Sequence, residues 1–126
     1  MLNAIFAFIT YFVIAIVLLA SFVLIYIRFT PYREFKLIEA GNNAAAITLS
    51  GAVLGFTFPV LSSIFYTQSI LEMMLWAAIT CVVQLSVFLF ISSHAKRIEG
   101  GSTSTAIMVA TLSVAVGLIN AVCISH

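Results

Sequence analysis

Charge is what this chain has least of. Five basic and four acidic residues are spread over 126 positions, 7% in all, where a soluble domain carries about a quarter. With 63% hydrophobic residues and a mean hydropathy of +1.25, that scarcity excludes an ordinary soluble domain. A net charge of +1 excludes the basic face that a nucleic-acid partner needs, and equally an acidic tail. Cysteine is scarce as well. Cys81 and Cys123 lie in apolar runs with no metal-ligand spacing, so they read as small hydrophobes rather than as disulfide or metal groups.

The sharpest absence is positional. Four runs, Ile5–Ile27, Asn43–Tyr66, Met73–Ser92 and Thr103–Ile124, contain no Asp, Glu, Lys, Arg or His. Each has the roughly 20 residues that a helix needs to cross a hydrocarbon core. Proton pumps, many secondary transporters and intramembrane hydrolases place ionisable groups at that depth. The chain also lacks HExxH, a phosphate-cradling glycine loop, paired carboxylates and a serine with a His/Asp pair. It therefore reads as a protein without catalysis, cofactor or metal.

The first run is too long for the apolar core of a signal peptide and has no basic residues before it, so it is expected to remain as a span. The expectation is one membrane domain over residues 1–126: an all-α polytopic protein, a four-transmembrane-helix bundle.

The basic residues orient it. Arg28, Arg33 and Lys36 lie between the first two spans and Lys96 and Arg97 between the last two, while the loop from Thr67 to Glu72 has none. Basic loops stay cytoplasmic, which places both termini outside. Trp76 on the outer side and Tyr26, Phe29 and Tyr32 on the inner side sit where interfacial aromatics belong.

The chain also repeats itself. Ile38-Glu39-Ala40-Gly41 returns sixty positions later as Ile98-Glu99-Gly100-Gly101, and Ala46-Ile47 as Ala106-Ile107. Unit one covers about 5–66 and unit two about 73–124. Both hairpins keep their basic loop on one side, so the repeat is parallel, and the four helices should pack as a small antiparallel bundle.

Span two carries the plainest surface pattern. At about 100° per residue, Ala44, Thr48, Gly51, Gly55, Pro59 and Ser62 fall in one narrow sector. Span four carries a similar stripe at Ala106, Ala110, Ser113 and Gly117. Small residues let helix backbones approach closely, which is what binds helices where lipid supplies no hydrophobic drive. Pro59 has no N–H for the Gly55 carbonyl, which then needs another partner: Thr57, a neighbouring helix or water.

Gln84 and Asn120 are the polar amides at depth. They either hydrogen-bond to a neighbouring helix or line a binding site or pore. Asn42 and Asn43, with Ser102 and Thr103 in the second unit, can cap the helices that follow. Glu39 and Glu99, just before those helices, suit a positive helix N-terminus and could instead form a polar mouth. His94 and His126 read as loop and terminal residues. The segment Arg28–Asn42 reads either as a helical turn at the headgroup level or as a solvated loop.

The run GNNAAAITLSGAVLGFTFPVLSS, the Thr30-Pro31 before it and the closing GLINAVCIS resemble the YjfL-like bacterial inner-membrane proteins, domain-of-unknown-function family 350. The resemblance spans essentially the whole chain. It rests most on Asn42, Ala44, Ala45, Gly51, Gly55 and Pro59, and on Gly117, Asn120, Ala121 and Cys123. Unit two departs from it at Ser102-Thr103-Ser104, where an asparagine often precedes the alanines. The resemblance implies a protein of the bacterial inner membrane built from two similar hairpins. Because relatives are often encoded near envelope-stress proteins, it also implies a part in membrane maintenance. Besides the lipid bilayer, the expected partner is a second copy or another membrane or envelope-stress protein. The competing expectation is a small oligomeric channel or transporter subunit.

Overall fold

The computed structural model describes residues 2–30, 34–67, 69–90 and 95–124. Pro31, Tyr32, Arg33, Ser92, His94 and His126, named above, lie outside them. Every element among the described residues is helical: α1 (Leu2–Phe29), α2 (Glu34–Glu39), α3 (Asn43–Thr67), α4 (Ile70–Phe90), α5 (Ala95–Glu99) and α6 (Thr103–Ile124). Of these, α1, α3, α4 and α6 are long and apolar enough to cross a membrane.

Local chemistry sets the helix ends. Helix α4 starts three residues before the apolar run does, because Ser69-Ile70-Leu71-Glu72 is a capping box. The Ser69 hydroxyl accepts from Glu72 N–H at 3.4 Å, and Glu72 lies in the positive first turn. The two inter-helix turns are twins. Gly41 and Gly101 both have φ of 89°, a left-handed conformation that costs glycine little. Asn42 N–H donates to Leu37 O and Gly41 N–H to Ile38 O, while Ser102 N–H donates to Arg97 O and Gly101 N–H to Ile98 O. This pair of bonds is a Schellman close of the short helix, made at the same place in both units. The segment after α1 thus contains a helical turn, α2. Its Leu37 and Ile38 pack against the core, while Phe35 is exposed.

Helix α3 is the hub and touches each of the other five. Its most extensive contact is with α6, the helix that runs parallel to it, rather than with an antiparallel hairpin neighbour. The physical reason is backbone proximity. A Cβ on Gly117 would stand 2.6 Å from Gly55 Cα, and one on Gly51 would overlap Ala110. The Gly55 carbonyl that Pro59 cannot meet is directed at Gly117, where a Cα–H can face it. Thr57 is not that partner, since its hydroxyl donates to Val53 O at 2.7 Å.

The two stripes do not occupy the same place in their units. Helices α3 and α6 begin sixty positions apart, yet Ala106, Ala110, Ser113 and Gly117 follow Ala44, Thr48, Gly51 and Gly55 by 62. Two extra residues turn the stripe by about 200°, to the opposite side of the helix. The stripe of α6 therefore faces back toward α3, and the units lie side by side in one orientation.

At the end that carries α2 and α5, an aromatic cluster ties α1 to the rest. Phe22 stacks on Phe56 at 4.4 Å, and Tyr26 meets Phe88 edge-on at 5.8 Å. Toward its N-terminus α1 draws away from α3, leaving a groove of about 550 Å³ lined by Phe8, Tyr11, Phe12, Val60 and Leu61 among others.

Candidate functional site: a polar seam inside the bundle

Where α3, α4 and α6 meet, neutral polar groups are buried among small residues. Gln84 is 1% exposed. Its Nε2 donates to the Ser113 carbonyl at 3.1 Å, so α4 is bonded across to the backbone of α6. The amide fills the volume that a side chain on Gly55 would take, since a Cβ there would stand 2.5 Å from Nε2. Its Oε1 is buried with no hydrogen-bond partner among the described residues. Gly55, Gln84, Ser113 and Gly117 thus share one level.

One turn further from the α2/α5 end, Asn120 Nδ2 donates to Thr80 Oγ1 at 3.1 Å. Further along, the Ser62 hydroxyl donates to Ala121 O at 2.6 Å. Thr48 and Ser63 return their hydroxyls to their own helix, at Ala44 O and Val60 O. Ala44, Thr48, Gly51, Gly55 and Pro59 are buried, as are Ala106, Ser113 and Gly117, with Ala110 half-buried.

Asn42 and Asn43 stand apart from this seam. Asn42 is half-buried and its side chain is committed within the fold. Its Oδ1 accepts from Ala45 N–H at 3.1 Å as the N-cap of α3. Its Nδ2 donates to Ile98 O at 3.2 Å and Glu99 O at 3.0 Å, tying unit one to the end of α5. Both amide hydrogens are used. Asn43, the first residue of α3, is exposed. Ser102, at the place of Asn42 in unit two, bonds only locally, to Thr105 Oγ1 at 2.9 Å.

Glu39 and Glu99 are the last residues of α2 and α5, with exposed side chains. They sit at helix C-termini, not in the favourable first turn of α3 and α6. What meets Asn42 is the Glu99 backbone carbonyl, because the Schellman turn points those carbonyls toward it.

Thr80 as the partner of Asn120 and Ser62 as a cross-helix donor are pairings with no signature in the sequence. Spacing places Thr80 with Gln84 on α4, and nothing in one strand of sequence says which residue of α6 lies opposite. The capping box at Ser69 was the readable signal for the start of α4. Among the described residues no three His, Cys, Asp or Glu side chains gather as metal ligands would. The seam can hold helices together, and among the described residues it leaves the buried Gln84 Oε1 unmet.

Four apolar helices joined through small residues and neutral amides make an all-α polytopic membrane protein. The chain belongs to the family Domain of Unknown Function (DUF350), which matches residues 1–124. It is similar to the UPF0719 inner membrane protein YjfL of Escherichia coli K12, with 32% identity over 128 residues, 98% of this chain and 97% of the relative. The protein of that name from Escherichia coli O157:H7 is similar to the same extent. No solved structure matches. The chain is accordingly a multi-pass inner-membrane protein.

Proposed function

We propose that this protein is a non-enzymatic membrane bundle that acts through its surfaces, self-associating or docking another membrane or envelope-stress protein in maintenance of the bacterial envelope. The observation that carries this reading is the seam. Gln84 and Asn120 each donate one N–H, and Asn42 two, to neighbouring helices and turns, and Gly55, Gly117 and the Gln84 amide fill the space between α3, α4 and α6. The interior supports packing, and the long helices leave bulky apolar side chains outside. Both termini belong on the periplasmic side, on the distribution of Arg and Lys between loops.

Native mass spectrometry in nanodiscs drawn from the native membrane tests the self-association. A discrete homo-oligomer is expected. A monomer that carries no second protein would sink the reading. A reporter fused after His126 should read periplasmic.

A second reading, a small oligomeric channel or transporter subunit, is favoured by one observation, the buried and unpartnered Oε1 of Gln84. It requires Gln84→Leu together with Asn120→Leu to abolish solute flux in vesicles. Unchanged flux eliminates it.

A further inference from the structure

Units one and two meet through unlike faces. Unit one contributes Phe22 and Tyr26 of α1 and the Thr48, Gly51, Gly55 stripe of α3, all buried. Unit two contributes Met73, Ala77, Thr80 and Gln84 of α4 with Ser113 and Gly117 of α6, also buried. An interface made of two unlike faces does not close on itself, and it leaves each unit with one face unused.

The sixty-residue repeat identifies those unused faces. Carrying the sixty-residue spacing of the turns and of α3 and α6 back into α1 and α4 sets Val13, Val17, Ala20 and Leu24 of α1 opposite Met73, Ala77, Thr80 and Gln84. All four α1 residues are exposed. The counterparts of Thr48, Gly51 and Gly55 in unit two are Met108, Thr111 and Ala115 of α6, and those of Phe22 and Tyr26 are Val82 and Ser86 of α4. All five are exposed as well. The α4 part and the α1–α3 part of the covered interface thus have exposed counterparts, while those of Ser113 and Gly117, Val53 and Thr57 of α3, are half-buried. Lipid contact alone accounts for the bulky residues on the exposed faces. Ala20, Ser86, Thr111 and Ala115 are instead the small residues that mark helix–helix contact in membranes.

We propose that a second copy of this chain docks head to tail on this molecule. The α1 face of the second copy, Val13, Val17, Ala20 and Leu24, lies against the α4–α6 face of the first, continuing the internal array of units. This rests on the self-association reading above and specifies its geometry. Gly55 against Gln84 within the chain becomes Ala115 against Leu24 of the second copy. The junction has no counterpart of the Gly55–Gly117 backbone contact, so it is weaker than the internal seam and separates while each copy stays folded. Being heterologous, it extends to a ring or a row according to the rotation between copies.

Oxidative crosslinking in native membranes tests the geometry, using chains with Cys81→Ser and Cys123→Ser. One tagged chain carries Leu24→Cys and a differently tagged chain carries Ala115→Cys. A disulfide between the two tags is expected, with no product when either chain is oxidised alone, and Ala115→Trp in place of Ala115→Cys should reduce the oligomer to monomer by native mass spectrometry. An oligomer in which Leu24→Cys pairs with itself, or Ala115→Cys with itself, overturns the head-to-tail geometry and leaves self-association standing. So does an oligomer with no crosslink. A monomer overturns both.

Discussion

Helices α1 and α3 are built from similar lengths of uncharged residues, and the structure treats them oppositely. Only 6% of the most apolar stretch of α1 is buried within the protein, against 50% for α3. The less hydrophobic helix is the one inside. In water the reverse would be expected, because burial follows apolar area. In lipid the bulky side chains of α1, such as Phe6, Phe8 and Phe12, lose nothing by facing outward. The small residues of α3 gain backbone contact by facing inward. The contrast is one of shape rather than polarity, and substitutions on the two helices should differ accordingly.

The largest effect is expected on the backbone contact. Gly55→Leu puts a branched chain where even a Cβ would meet the Ser113 carbonyl and the Gln84 amide. A loss of at least about 3 kcal/mol is expected, since overpacking of a closed interior costs about 1–3 kcal/mol or more. Reversible unfolding in bicelles measures it. If Gly55→Leu is neutral, the contact between α3 and α6 is not the one holding the bundle.

Asn42→Ala should come next, at about 2 kcal/mol. About 1 kcal/mol is the lost N-cap, and the rest is the two bonds to the end of α5. Asn42→Ser keeps a cap but not the reach, so it should recover about half. An Asn42→Ser variant as stable as the parent would show that the bridge to α5 contributes nothing, and equal losses for the two variants would show the same of the cap.

Gln84→Leu should cost no more than about 1 kcal/mol. Cross-helix amide bonds in membranes average below that, and the change also removes a buried acceptor that has no partner. A loss well above about 2 kcal/mol would mean that Oε1 is engaged in the native membrane, which would favour the channel reading.

The smallest change belongs to α1. Phe6→Leu exchanges one lipid-facing side chain for another and should stay within about 0.5 kcal/mol in the same assay. A larger loss would bring this part of α1 into a protein contact and narrow its contrast with α3.

Some of this could be read without coordinates. Span length follows from hydropathy, and Gly41 and Gly101 mark their turns because each local signal is complete within a few residues. The small-residue stripes on α3 and α6 are visible as well. The two-residue shift of the second stripe within its unit is in the sequence too, and what is hidden is which helix each stripe meets. The sequence shows Gln84 and Asn120 as amides at membrane depth, but their partners, the Ser113 carbonyl and the Thr80 hydroxyl, come from other helices. Asn42 reads correctly as a cap, while its reach to Ile98 and Glu99 depends on a turn 56 and 57 positions away.

The sequence alone determines four uncharged apolar runs and the two glycine turns. Each rests on a local property: the length of an apolar run, the φ freedom of glycine, the reach of a capping side chain. Which helix is the hub, which is left to the lipid and which faces stay open are settled only in three dimensions. An apolar residue facing lipid and one facing a neighbouring helix look alike in sequence, because the membrane solvates both. What separates them is the fit between surfaces, and that exists only once the helices are set against each other.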